Sequence, residues 1–192
     1  MDKSAGYWLL GILFMALGSP ADAQDWFSES STDSVLIQNS FPKGGPYKGL
    51  SFEHHRPSYV VFVSRITNGR DVPIELRMEF SADPIPIPDS PGTFVKLFLP
   101  EGTMDPNEWS SLSYGVTELQ SLHHETSLEQ IIPAGKEYLI RVAAFFYQTE
   151  HGAWNQERGG NRAELILKGG ELFYHMPPHI EYLRCGTLVT EQ

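Results

Sequence analysis

Residues 74–80 read IELRMEF, and only one regular conformation suits this stretch. Ile74, Leu76, Met78 and Phe80 alternate with Glu75, Arg77 and Glu79. A helix would scatter the four apolar side chains, because each step turns about 100°. In a strand, successive side chains point to opposite faces. The apolar residues then share one face and the charges the other. That pattern predicts a strand with one face in a core and one in water, as in an antiparallel sheet.

Much of the chain repeats this pattern. SVLIQ (34–38) is short and apolar, and a brief strand is expected at Leu50–Glu53. SYVVFVSRITNG (58–69) is rich in β-branched and aromatic residues and ends on Asn-Gly. NGRDVP links it to the 71–83 strand through a hairpin or a short corner. DPIPIPDSPG (83–92) cannot sit inside a sheet, since proline donates no ladder hydrogen bond; it reads as an edge or a loop. TFVKLFLP (93–100) resumes as strand. KEYLIRVAAFFYQ (136–148) is apolar on both faces and is expected at the centre of a sheet. Residues 161–175 hold two short strands around a Gly-Gly break or bulge, and 180–190 closes the chain as strand.

Helix is expected only as one or two short turns. DPNEW (105–109) places Pro after a capping Asp. TELQ (117–120) matches a capping box ahead of 118–124. The resulting fold is all-β: a single antiparallel β-sandwich of about eight strands. ITNGRDVPIELRMEF followed by IPAGKEYLIRV resembles segments of immunoglobulin-like sandwiches of exported proteins. The resemblance covers about a quarter of the chain and identifies no family. It implies an immunoglobulin-like strand order, while the strand pattern fits a jelly roll equally well.

The N-terminus reads as a targeting segment. Trp8–Gly18 is an uncharged, mostly apolar run of 11 residues. A membrane span needs about 20. Ala21-Asp22-Ala23 supplies the small residues of a signal-peptidase site. The expected organisation is a signal peptide at 1–23, a flexible serine-rich leader at 24–33 and the sandwich at 34–192, in a secreted or periplasmic protein. Such a domain can bury roughly 70% of its unfolded surface and needs no disulfide. Cys185 is the only cysteine, expected as a buried apolar side chain. A formal net charge of −10 and the lack of any Lys/Arg run argue against nucleic acid and anionic membrane surfaces as partners.

Seven histidines, including the doublets His54-His55 and His123-His124, raise the question of a metal. Ligands must converge on one point about 2 Å away. Neighbours in a strand point to opposite faces, so each doublet offers one ligand at most. His175 and His179 are separated by Pro177-Pro178, which forbids the helix that would align them. No metal or other cofactor is therefore expected. The alternative is a copper or zinc carrier using His54, His123, His175 and His179, with Met78, Met104 or Met176 as soft ligands.

Catalytic motifs are missing too. There is no G-x-S-x-G elbow and no phosphate loop. Glu75 and Glu79 lie roughly 13 Å apart along a strand, too far for a glycosidase pair. Arg77, Arg141 and Arg162 are available for cross-strand ion pairs. A non-enzymatic binding module for a protein or glycan partner is the expectation that remains. Its contacts are assigned to YQTEHGAWNQERGGNR (147–162), read as a long hairpin connection. There Trp154 can stack, while Asn155, Arg158 and His151 supply directional hydrogen bonds.

Overall fold

The computed structural model describes residues 26–46, 55–101, 123–149, 151–152, 162–177 and 180–190. Twelve strands form two antiparallel sheets, where about eight strands were expected. The strands are β1 (Trp26–Thr32), β2 (Val35–Ser40), β3 (Lys43–Pro46), β4 (His55–Asn68), β5 (Ile74–Phe80) and β6 (Ile85–Pro86). They continue as β7 (Thr93–Phe98), β8 (Thr126–Ile132), β9 (Glu137–Gln148), β10 (Glu164–Lys168), β11 (Glu171–Met176) and β12 (Ile180–Thr190). The seven-stranded sheet runs β1-β2-β4-β9-β7-β6, with β3 also on β4. The five-stranded sheet runs β10-β11-β12-β5-β8. The expected strand at Leu50–Glu53, the helical turn at 105–109 and all but the last two residues of the one expected at 118–124 lie outside the described residues.

β1, β3, β6 and β8 account for the difference in strand number. β1 occupies the stretch expected as a flexible leader. It pairs with β2 from Trp26↔Ser40 to Thr32↔Val35. Asp33 and Ser34 turn the hairpin at φ 50° and 63°, the left-handed values that a two-residue loop needs. Without an Asn-Gly or Asp-Gly signal, the turn is hard to read from sequence. The Arg70 guanidinium donates to the Asp33 carbonyl at 2.9 Å and helps hold it. β8 shows only weak alternation and gains its place as the edge partner of β5.

Two connections join strands of different sheets, and the first is the short corner, one of the two readings of NGRDVP. β4 lies in the larger sheet and β5 in the smaller, so NGRDVP is a corner between sheets and not a hairpin. Asn68 closes it: its buried side-chain amide donates to the carbonyls of Val72 (2.9 Å) and Ile132 (3.0 Å) and accepts from the Arg70 N–H. β9 and β10 also lie in different sheets, so the chain between them does not close the expected hairpin. Gly169-Gly170 is a true hairpin turn, with φ of 59° and 84°.

The core lies between the sheets. Ile74, Leu76, Met78 and Phe80 all point into it, as their spacing predicts, against Phe62, Val142, Leu97 and Tyr174. β9 is central, paired with β4 and β7. Its outer face joins a second buried cluster of Val61, Val63, Phe98, Ala143 and Phe145. Apolar residues on both faces of β9 are thereby accounted for.

Candidate functional site

The smaller sheet splits along part of its length, and the split forms a cleft. β12 pairs with β5 from Thr190↔Ile74 down to Gly186↔Met78. β5 then continues alone with β8 to Phe80↔Thr126. β12 stays with β11, but its register slips twice. It passes from Leu172↔Gly186 to Phe173↔Arg184, leaving Cys185 as an extra residue, and slips again between Tyr174↔Leu183 and Met176↔Ile180. Extra residues bend a strand and increase its twist. The bends carry β12 away from β5 beyond Gly186.

Gly186 is the pivot of this divergence. A Cβ there would overlap the backbone carbonyl oxygen of Arg77, so only glycine permits the approach. That carbonyl points toward β12. Backbone direction alternates along a strand, so the N–H and C=O of Glu79 point the same way. Among the described residues, no strand pairs with them on that side.

The cleft encloses about 630 Å³. Phe80, Leu97, Leu128 and Leu183 contribute apolar surface, as does Pro84-Ile85-Pro86. Charged groups surround it: Arg77, Glu79, Asp83, Glu129 and Arg184. Both arginines have carboxylate partners. Arg77 bonds Glu75 at 2.6 Å, which raises its pKa, and reaches Glu129 at 4.0 Å. Arg184 bonds Glu171 at 2.7 Å. Cys185 lines the cleft wall but is inert as a nucleophile. Its thiol is buried, donates to the Leu172 carbonyl at 3.5 Å, and is pushed up to about 12 by desolvation.

No family model matches this chain, and no curated protein or solved structure does either.

Of the residues predicted for binding, Trp154, Asn155 and Arg158 lie outside the described residues. His151 is exposed, in a turn where the Gly152 N–H bonds the Thr149 carbonyl at 2.9 Å. This turn follows the end of β9, on the end of the sandwich where β5 finishes and β12 starts. The β5 residues that line the cleft, 77–80, are those nearest that same end.

Among the described residues, the histidines do not converge. His54 and His179 lie outside the described residues, and His123 is exposed ahead of β8. His175 stacks on Tyr182 at 5.0 Å on the outer face of the smaller sheet, 3.9 Å from Glu164. Met78 and Met176 are core side chains; Met104 lies outside the described residues. Among the described residues, no three His, Cys, Asp or Glu side chains are grouped to hold a metal ion.

The cleft residues carry one faint signal in the sequence. Cys185-Gly186 interrupts the alternation of IEYLRCGTLVT, and an isolated glycine in a strand suggests a bulge or a close backbone approach. Which strand it approaches is a matter of topology.

Proposed function

We propose that this chain is an exported, non-enzymatic binding module that recognises a protein or glycan partner through one end of its sandwich. The cleft between β5 and β12 is the observation that carries this reading. It is preformed, mixes apolar surface with a few charged groups, and falls within the range of about 300–1,000 Å³ typical of ligand sites. In sequence, the exposed His151 is followed closely by Trp154, Asn155 and Arg158. This composition of an indole beside amides and a guanidinium suits directional recognition. The apolar run at Trp8–Gly18 with Ala21-Asp22-Ala23 supports work in the periplasm or outside the cell.

Export and binding are tested together. The product recovered from the periplasm or medium should begin at Gln24. That product, immobilised, is then exposed to cross-linked envelope proteins and to an array of glycans. Specific retention of one partner, weakened by Trp154→Ala with Arg158→Ala or by Glu79→Lys with Glu129→Lys, is the expected result. Retention of nothing, or of a partner indifferent to both double variants, sinks the reading.

A further inference from the structure

We infer that the cleft receives a short extended peptide of a partner protein, which adds as a strand along the open edge of β5 and carries a basic residue. This rests on the binding-module reading and names the partner class for the same site. Three features of the cleft point to a peptide.

The first is the backbone. Glu79 directs its N–H and C=O toward the cleft, where β12 has turned away. Glu79 is exposed, so this is an open strand edge of the kind that templates pairing with another chain, and an added strand supplies both a donor and an acceptor at the right spacing. A sugar or a small apolar molecule offers no such paired, directional match.

The second is the alternation of surfaces. An added strand shows one set of side chains to the interior and the other to solvent. The interior side of the cleft offers Phe80, Leu97 and Leu128, and the rim offers charges. The match is a peptide of alternating apolar and polar residues. Pro84 and Pro86 also line the cleft and cannot themselves extend a ladder.

The third is charge. Arg77 and Arg184 are already engaged by Glu75 and Glu171, outside the cleft lining. Glu79 and Asp83 add negative charge to the lining, while Glu129 lies 4.0 Å from Arg77. The chain as a whole carries a formal net charge of −10, which steers basic partners toward it. A Lys or Arg in the peptide complements the rim.

The aromatic group on the outer face of the same sheet is a weaker candidate. Tyr182 is exposed, but its ring is stacked by His175 at 5.0 Å, and the Lys168 ammonium lies 3.9 Å from its centroid. A sugar would have to displace these groups before it could stack.

The test uses short random linear peptides displayed on phage and panned against the exported chain. Enriched sequences should alternate apolar and polar residues and include Lys or Arg. The best is synthesised with N-methyl groups on one alternate set of backbone amides, then on the other. One set should weaken binding roughly tenfold, the equivalent of losing one or two ladder hydrogen bonds, and the other should not. Glu79→Lys with Glu129→Lys, verified as folded by circular dichroism, should also weaken binding roughly tenfold. The inference is overturned if no peptide enriches. It is equally overturned if binding ignores both the methylation phase and the charge reversal. Capture of an envelope protein or glycan by a chain that ignores peptides would sink this inference and leave the binding module standing.

Discussion

Asn39 and Leu165 sit on opposite sheets, and the side-chain amide of the first pairs with the backbone of the second. Oδ1 accepts from the Leu165 N–H at 2.9 Å, and Nδ2 donates to its carbonyl at 3.3 Å. The Ser64 hydroxyl adds a third bond, donating to the same Oδ1 at 2.8 Å. β10 gains through one side chain the hydrogen bonds that a neighbouring strand would supply, and the sandwich is tied shut where β2 crosses it.

Asn39→Ala removes this tie and leaves the Leu165 donor and acceptor buried and unmatched. A loss of about 2–4 kcal/mol is expected, since buried groups left without partners cost more than the bonds themselves gain. Ser64→Ala should cost only about 1 kcal/mol. Urea unfolding checks both: the midpoint should fall in that order with the slope unchanged. Equal effects would mean that the amide does not bridge the sheets.

Gly186→Ala tests the pivot of the cleft. Its Cβ would strike backbone, which cannot rotate away. About 2–4 kcal/mol of stability should be lost, together with any ligand binding in the cleft. Gly135→Ala is the control. Its Cβ meets open space, and only the backbone at φ 65° resists, at a cost of about 1–2 kcal/mol. Thermal melts of the two variants should rank in that order.

Alkaline pH should destabilise the protein in a window set by Cys185. Burial raises its thiol from 9.0 to about 12, so the folded chain holds a proton that the unfolded chain releases. That stabilisation is complete below about pH 9 and is lost as pH rises toward about 12, by up to about 1.4 kcal/mol per unit. Burial also raises Tyr174 above its ordinary value of 10.0, which steepens the fall at higher pH. Unfolding free energies measured between pH 8 and 10 should decline in the native chain and stay nearly flat in Cys185→Ala. An identical decline in both would place the titration elsewhere. Thiol reagents at pH 8 should modify Cys185 only after unfolding.

Trimming the chain to begin at Val35 should weaken the fold, whereas beginning at Gln24 should not. β1 pairs along the whole of β2, the Ser28 hydroxyl accepts from Asn39 Nδ2 at 3.2 Å, and the Arg65 guanidinium packs 4.6 Å from the Trp26 ring centroid. Losing these should cost about 2 kcal/mol or more. Equal urea midpoints for the two forms would restore 24–33 to the status of a leader.

The strands with strong alternation were legible because their side chains carry the message. Ile74 to Phe80 could bury one face only as a strand, and residues 137–148 could satisfy two apolar faces only at the centre of a sheet. β1 was not legible. Its serines and single glutamate say nothing of burial, and it is a strand because β2 offers it an edge. β6 is two residues that only β7 makes into a strand.

The candidate site divides in the same way. Cys185-Gly186 marks an irregularity in the sequence, but the cleft exists because β12 meets β5 at Arg77 and parts from it below Met78. Charges from three strands surround it, far apart in the chain. By itself, the sequence determined the fold class, the central strand, the burial of Cys185 and the faces of β5, because each follows from local side-chain period and polarity. Tertiary structure decided which strands share a sheet, that NGRDVP is a corner, and that a sheet opens between two strands about a hundred residues apart. Those outcomes depend on long-range pairing, whose register is set where distant segments meet.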